Sequence, residues 1–195
     1  MSASRWLIIA VATVLLAACA TPRTRPAAPP WPQRLAALRS LPHYEFEGRM
    51  AVNAGSEGFS AGVRWDQQGE DASVDLSAPL GFGAAHLERS AGALTVTTSR
   101  GQHLEAAAAA AELTSQLGFE PPLDSLRYWL VGASDPATFG METVDAEQRL
   151  IHLEQNGWSV DFADYAPVAT YSLPRRLTLQ QGTLRLRVLI NAWQL

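Results

Sequence analysis

Apolar side chains fall on every second residue through most of this chain, and that spacing restricts it to strands with one buried face. Phe46, Gly48, Met50 and Val52 alternate with Glu47, Arg49 and Ala51. Phe59, Ala61, Val63 and Trp65 alternate with Ser60, Gly62 and Arg64, and Val74 and Leu76 with Ser73, Asp75 and Ser77. Residues 84–89 and 93–99 suggest two more strands around Gly92. The period returns at 149–154, at Trp158, Val160 and Phe162, at Leu177 and Leu179, and at Leu184, Leu186, Val188 and Ile190. Turn clusters at 53–58 and 67–70 separate the early strands, and Asn156-Gly157 is a strong two-residue hairpin signal. One apolar face per strand, joined by tight turns, predicts an antiparallel meander.

Three stretches carry the helical period instead. Gln33 to Ser40 has Leu35 and Leu38 at helical spacing, continued by Leu41, behind a proline. Leu104 to Leu117 is alanine-rich and stops at Gly118, with Pro121-Pro122 beyond. Leu123 to Val131 starts after those prolines and ends at Gly132, with Leu123, Leu126, Trp129 and Leu130 able to share one face. The predicted fold is α+β and mainly antiparallel β. It is a curved half-barrel sheet of about nine to eleven strands, with the helices covering a hydrophobic cavity on its apolar side.

The N-terminus is of another kind. Arg5 precedes an uncharged apolar run, residues 6–18, too short for the roughly 20 residues of a membrane-spanning helix. A basic flank, a short apolar run and small residues read as an export signal. Leu16-Ala17-Ala18-Cys19 is a lipobox, so cleavage before Cys19 and lipidation on it are expected. Cys19 is the sole cysteine, so no internal disulfide forms and the fold must stand on its hydrophobic core. The expected organisation is a signal peptide at 1–18, a lipidated Pro- and Ala-rich tether at 19–32, and a single domain at 33–195. At roughly 3 Å per residue, the tether holds the domain at most some 40 Å from the lipid.

Composition removes several classes of function. The whole precursor has a formal charge of −4, and the chain has no lysine. That gives no footprint for nucleic acid and no polybasic grip on anionic lipid, so membrane attachment falls to acyl chains. His43, His86, His103 and His152 are not spaced as metal ligands, and no metal or cofactor is expected. Ala54-Gly55-Ser56-Glu57-Gly58 only approaches a nucleophile elbow and lies between two strands, where glycine and serine make a turn. Gly81-Phe82-Gly83 is too short for a dinucleotide fingerprint. No catalytic set emerges, and an enzyme is not expected.

Two features point to binding. Phe46, Met50, Phe59, Trp65, Leu126, Trp129, Trp158 and Phe162 are candidates to line an acyl-chain cavity, although most could equally be ordinary core. Pro79, Leu80, Gly81 and Phe82 form the tip of a loop between two strands. Either its apolar side chains tuck into the core, or one projects and meets lipid or a partner.

In order and spacing these pieces resemble the LolB family of outer-membrane lipoproteins. The matching residues are the lipobox at Cys19, Leu41 with Phe46-x-Gly48-Arg49, and Phe59-Ser60-Ala61 leading to Trp65. Pro79-Leu80-Gly81, Pro122-Leu123-x-x-Leu126-x-x-Trp129-x-x-Gly132 and Gln155-Asn156-Gly157-Trp158 follow, then Leu173-Pro174 and Trp193. The resemblance implies a LolA/LolB-like half-barrel lidded by helices. It implies a monomer that takes triacylated lipoproteins from the periplasmic carrier LolA and inserts them in the inner leaflet of the outer membrane. Its implied partners are therefore that carrier, the acyl chains of client lipoproteins and outer-membrane lipid. It also implies that Leu80 acts in insertion. Ala20, in place of aspartate after Cys19, favours the outer membrane. The alternative on the same scaffold is a lipocalin-like lipoprotein binding a small apolar ligand or glycolipid.

Overall fold

The computed structural model describes residues 28–54, 57–77 and 84–195. Cys19 with its signal peptide, and the loop residues Pro79, Leu80, Gly81 and Phe82, lie outside the described residues. The chain opens with helix α1 (Trp31–Arg39) and runs through strands β1 (His43–Ala54), β2 (Glu57–Gln68), β3 (Asp71–Ser77), β4 (Ala84–Ser90), β5 (Ala93–Thr98) and β6 (His103–Glu105). Helices α2 (Ala106–Leu117) and α3 (Leu123–Trp129) follow. The second run of strands is β7 (Gly140–Val144), β8 (Leu150–Gln155), β9 (Trp158–Ala163), β10 (Ala166–Val168), β11 (Tyr171–Leu173), β12 (Arg176–Gln181) and β13 (Leu184–Gln194).

Eleven of these strands make one open antiparallel sheet, in the order β6-β5-β4-β3-β2-β1-β13-β12-β9-β8-β7. Two meanders, β1–β6 and β7–β13, thus meet where the first strand pairs with the last. β10 and β11 form a separate two-stranded hairpin. The alternation read from the sequence sets the faces. Tyr44, Phe46 and Val52, Val63 and Trp65, Val74, Leu87 and Val96 are buried in the first wing. Leu153, Val160, Phe162, Leu177, Leu179, Leu186, Val188 and Ile190 are buried in the second. The helices lie on this inner face.

The seam between the wings needs a glycine. The β1–β13 register slips between Glu47, opposite Ala192, and Gly48, opposite Ile190, so Asn191 bulges out of the pairing. Arg175 holds the bulge. Its carbonyl accepts from the Ile190 N–H at 2.8 Å, and its guanidinium donates to the Ile190 and Asn191 carbonyls at 3.1 and 2.9 Å. The β13 backbone leans onto Gly48 so closely that a Cβ there would overlap the Leu189 carbonyl.

Some local expectations shift. α1 starts at Trp31, two residues early, because prolines cost nothing in a first helical turn and the Trp31 ring finds partners on the second wing. Leu104 does not open α2. It pairs with Val96 in the short strand β6, and the helix begins after Glu105. The Asn156-Gly157 turn forms as read, with both residues at positive φ (54° and 75°). Strands β7, β10 and β11 escape the sequence reading. β7 is an edge strand without a clean alternation, and three-residue strands show no period.

Candidate functional site

Helix α3 spans both wings, and each of its sides is held by different chemistry. At its start Asp124 pairs with Arg89 on the inner face of β4. Arg127 reaches Glu70 in the β2–β3 turn at 3.5 Å. The Arg127 carbonyl accepts the Tyr44 hydroxyl at 2.6 Å. Burial pushes the Tyr44 pKa well above its ordinary value, so the hydroxyl stays a neutral donor.

On its other side α3 is tied through Ser125 and Trp129 to a buried polar network centred on Gln155. The Gln155 carbonyl oxygen accepts from the Trp129 indole N–H and from the Asp135 backbone N–H, both at 2.9 Å. Its amide donates to the carbonyls of Asp135 and Thr138 at 2.9 and 2.8 Å. Ser125 donates to Asp135 at 2.8 Å and accepts from Asn156 at 2.8 Å. Surface ion pairs are worth about 0–1 kcal/mol each. Each partner left buried and unpaired costs about 1–3 kcal/mol. The side of α3 that carries Asp124 and Arg127, held by two ion pairs and the Tyr44 hydroxyl, is therefore the one that yields first.

Between α3 and the first wing lies an apolar space lined by Trp65, Val74, Leu87, Leu94 and Leu123, with Arg89 and Arg127 at its rim. Its volume is about 10 Å³, barely that of one water probe. A more open cleft of about 270 Å³ adjoins it between α1, α3 and the β2–β3 turn, sharing Gln67, Glu70 and Arg127. The space under the helices is closed in this conformation, and an acyl chain would need α3 to lift. The Arg127 Nε is buried there without a hydrogen-bond partner among the described residues.

The eight predicted cavity residues form two groups. Phe46 stacks on Trp65, with ring centroids 6.3 Å apart and planes 11° from parallel. Of the eight, Trp65 lines the apolar space. Trp129 packs on Trp158 at 6.4 Å under the other end of α3, beside buried Leu126. Phe162 is buried on β9, while Met50 and Phe59 are half-buried. Two polar residues missed in the sequence hold the indoles in place: Gln67 for Trp65 at 3.0 Å, and Gln155 for Trp129. The signal was available, since both glutamines fall on the apolar phase of their strands.

The histidines share a pattern that was also legible. Each begins a His-x-Glu on the outer face: His43 and Glu45, His86 and Glu88, His103 and Glu105, His152 and Glu154. His43 lies 3.2 Å from Asp66 as well, but this group stands on the outer face, away from the apolar space. His86 is bonded to Asp75 at 2.7 Å and Glu88 at 3.2 Å, and these bonds raise its pKa above 6.5. For His152 the Asp161 hydrogen bond raises it, against a smaller desolvation effect, with Glu154 adding to the rise. A raised folded pKa gives stability that is fully present below the unfolded value of 6.5. It is lost as pH climbs through the folded value. We expect the double variant His86→Gln, His152→Gln to be less stable than wild type below pH 6.5, by under about 1 kcal/mol per site because the rings are solvated. The gap should close well above that pH. Urea midpoints across the range check this, and a gap independent of pH would contradict it.

The comparisons agree with this architecture. The family model described as "Outer membrane lipoprotein LolB" matches residues 42–193. The chain is 33% identical to the outer-membrane lipoprotein LolB of Nitrosococcus oceani, covering 98% of each. It is 34% identical to that of Alkalilimnicola ehrlichii, covering 100% of this chain and 99% of the relative. In fold it is similar to a LolA superfamily protein from Nitrosomonas europaea, with a TM-score of 0.57 at 8% identity over 86% of this chain and 94% of that one. A putative outer membrane lipoprotein-sorting protein domain from Vibrio parahaemolyticus superposes with a TM-score of 0.54 at 8% identity, covering 84% and 90%. The match along almost the whole length, on the sheet and lid just described, places this chain in the LolB family of outer-membrane lipoproteins.

Proposed function

We propose that this protein, anchored in the outer membrane through lipid on Cys19, receives triacylated lipoproteins from a LolA-type periplasmic carrier and releases them into the inner leaflet. The observation that carries the reading is the full-length family match on a helix-lidded apolar sheet. Among the described residues no helix is long and apolar enough to cross a membrane. The small-ligand alternative is not favoured by these relatives, and the protein acts as a receptor rather than an enzyme.

The physics requires a shielded path. Each exposed CH₂ of an acyl chain costs roughly 0.8 kcal/mol in water. Movement from carrier to receptor to bilayer is spontaneous if each holds the chains more tightly than the last. A space closed by its own side chains, under a lid clasped along one side by weak ion pairs, suits a receptor that must also let go. Lifting the Asp124 and Arg127 side of α3 opens Trp65, Leu87 and Leu123 to the chains, while the Gln155 network holds the side with Ser125 and Trp129. The unpaired Arg127 donor then faces the ester and amide carbonyls at the head of the cargo.

Leu80 is the residue proposed to lead the chains into lipid. The mature Leu80→Glu variant is expected to accept a lipoprotein from the carrier as wild type does, yet to insert it into vesicles more than tenfold more slowly. That factor corresponds to at least about 1.4 kcal/mol, within what one buried leucine supplies. Insertion at the wild-type rate would remove the role from this loop.

A further inference from the structure

Phe139 is a large aromatic side chain held in water by a rigid support. It is 88% exposed, more than any other large apolar residue described, and Met141 two residues on is 62% exposed. Nothing about the backbone here is loose. The Thr138 carbonyl is held by the Gln155 amide at 2.8 Å, and the Ala137 N–H donates to Asp135 at 2.8 Å. On the other side Gly140 presses against the sheet, where a Cβ would come within 2.9 Å of Leu153.

The strand register says which end of the molecule this is. Gly140 pairs with Gln155 at the β8–β9 turn, and the same end carries the β12–β13 turn and the Ala54 end of β1. β3 also runs toward this end, leaving the described sheet at Ser77 after pairing with Gly62. The two neighbouring turns, Asn156-Gly157 and Gln181-Gly182-Thr183, carry no charge. The opposite end of the same strands is charged, with Asp145, Glu147 and Arg149 in the β7–β8 turn and Asp164 after β9. The two turns nearest Phe139 are uncharged, with Glu57 and Arg100 further along the same end, so the projecting aromatic can meet a bilayer interface without desolvating ions beside it. The tether allows it. The first described helix begins at Trp31, whose indole donates to Glu142 on β7 at 2.6 Å, so the described chain starts beside the strand that Phe139 precedes. The residues between Cys19 and Trp31 span up to about 35 Å.

We propose that Phe139 is a second lipid-contacting residue, which seats in the bilayer interface and turns this end of the sheet to the membrane during delivery. The proposal rests on the reading that the protein is lipid-anchored and delivers lipoproteins. Its test uses the mature lipidated protein carrying Phe139→Cys. Because the Cys19 sulfur is consumed in the lipid thioether, an environment-sensitive fluorophore reacts at position 139 alone. Glu147→Cys, at the charged end, is the control. In vesicles of phosphatidylethanolamine and phosphatidylglycerol, without cargo, the probe at 139 should shift to the blue and be quenched by brominated lipid. The probe at 147 should stay aqueous. In the delivery assay, unlabelled Phe139→Ser should receive lipoproteins normally and insert them about tenfold more slowly. An aqueous probe at 139, or delivery by Phe139→Ser at the wild-type rate, overturns the proposal. Failure of the wild-type protein to receive cargo, with the probe at 139 in lipid, removes the functional reading and leaves the membrane contact standing.

Discussion

Gly48→Ala is expected to destabilise the domain by about 3 kcal/mol, and Gly48→Val to prevent folding. Overpacking a core usually costs 1–3 kcal/mol, because side chains can shift aside. At Gly48 the obstacle is the Leu189 carbonyl, which is main chain. It is fixed beside a bulge that Arg175 clamps through three hydrogen bonds. Relief would require β13 to move away from β1, at the pairing that, among the described residues, joins the two wings of the sheet. Against a total stability of roughly 5–15 kcal/mol for a typical domain, that is a large fraction. Gly62→Ala is the control. Its Cβ meets the Ser77 hydroxyl, the end of a rotatable side chain, and should cost about 1 kcal/mol or less. Urea midpoints at unchanged slope give both values. Equal losses at the two glycines would show that the seam is not special.

The second large effect is expected at Gln155. Removing its side chain orphans the Trp129 indole N–H, the Asp135 N–H and the Asp135 carbonyl, all buried, and the part-buried Thr138 carbonyl. Each orphan costs about 1–3 kcal/mol, reduced where water enters, so Gln155→Ala should lose about 4 kcal/mol. Gln155→Leu separates packing from hydrogen bonding. It keeps most of the volume and should be nearly as damaging. A leucine variant close to wild type in stability would mean the network contributes little, and with it the fixed side of α3.

The two residues also mark how far the sequence could be read. Strand periodicity at β1, β2, β9 and β13 follows from burial of one face, which any antiparallel sheet imposes, so the architecture was legible. The hairpin at Asn156-Gly157 was legible because positive φ at both turn residues selects those types. The bulge at Asn191 was not. It arises from how β13 meets β1, two strands separated by most of the chain, and Gly48 alone reads as one small residue in an apolar phase. Gln67 and Gln155 could have been flagged as polar residues on buried phases, yet their indole partners depend on tertiary placement. Phe139 carries no periodic signal, because it lies just before β7, in a segment whose Thr138 carbonyl is held by Gln155 from another strand. The aromatic candidates divided into two groups because α3 crosses both wings, and this follows from the path of the chain between the strands.

Transfer of a triacylated lipoprotein tests the central claim most directly. The carrier–lipoprotein complex is mixed with the mature lipidated protein in vesicles, without nucleotide, and the location of the cargo is followed over time. The account predicts that cargo leaves the carrier, passes through the protein and accumulates in the bilayer. Cargo that stays on the carrier, with the folded protein present in excess, would contradict it.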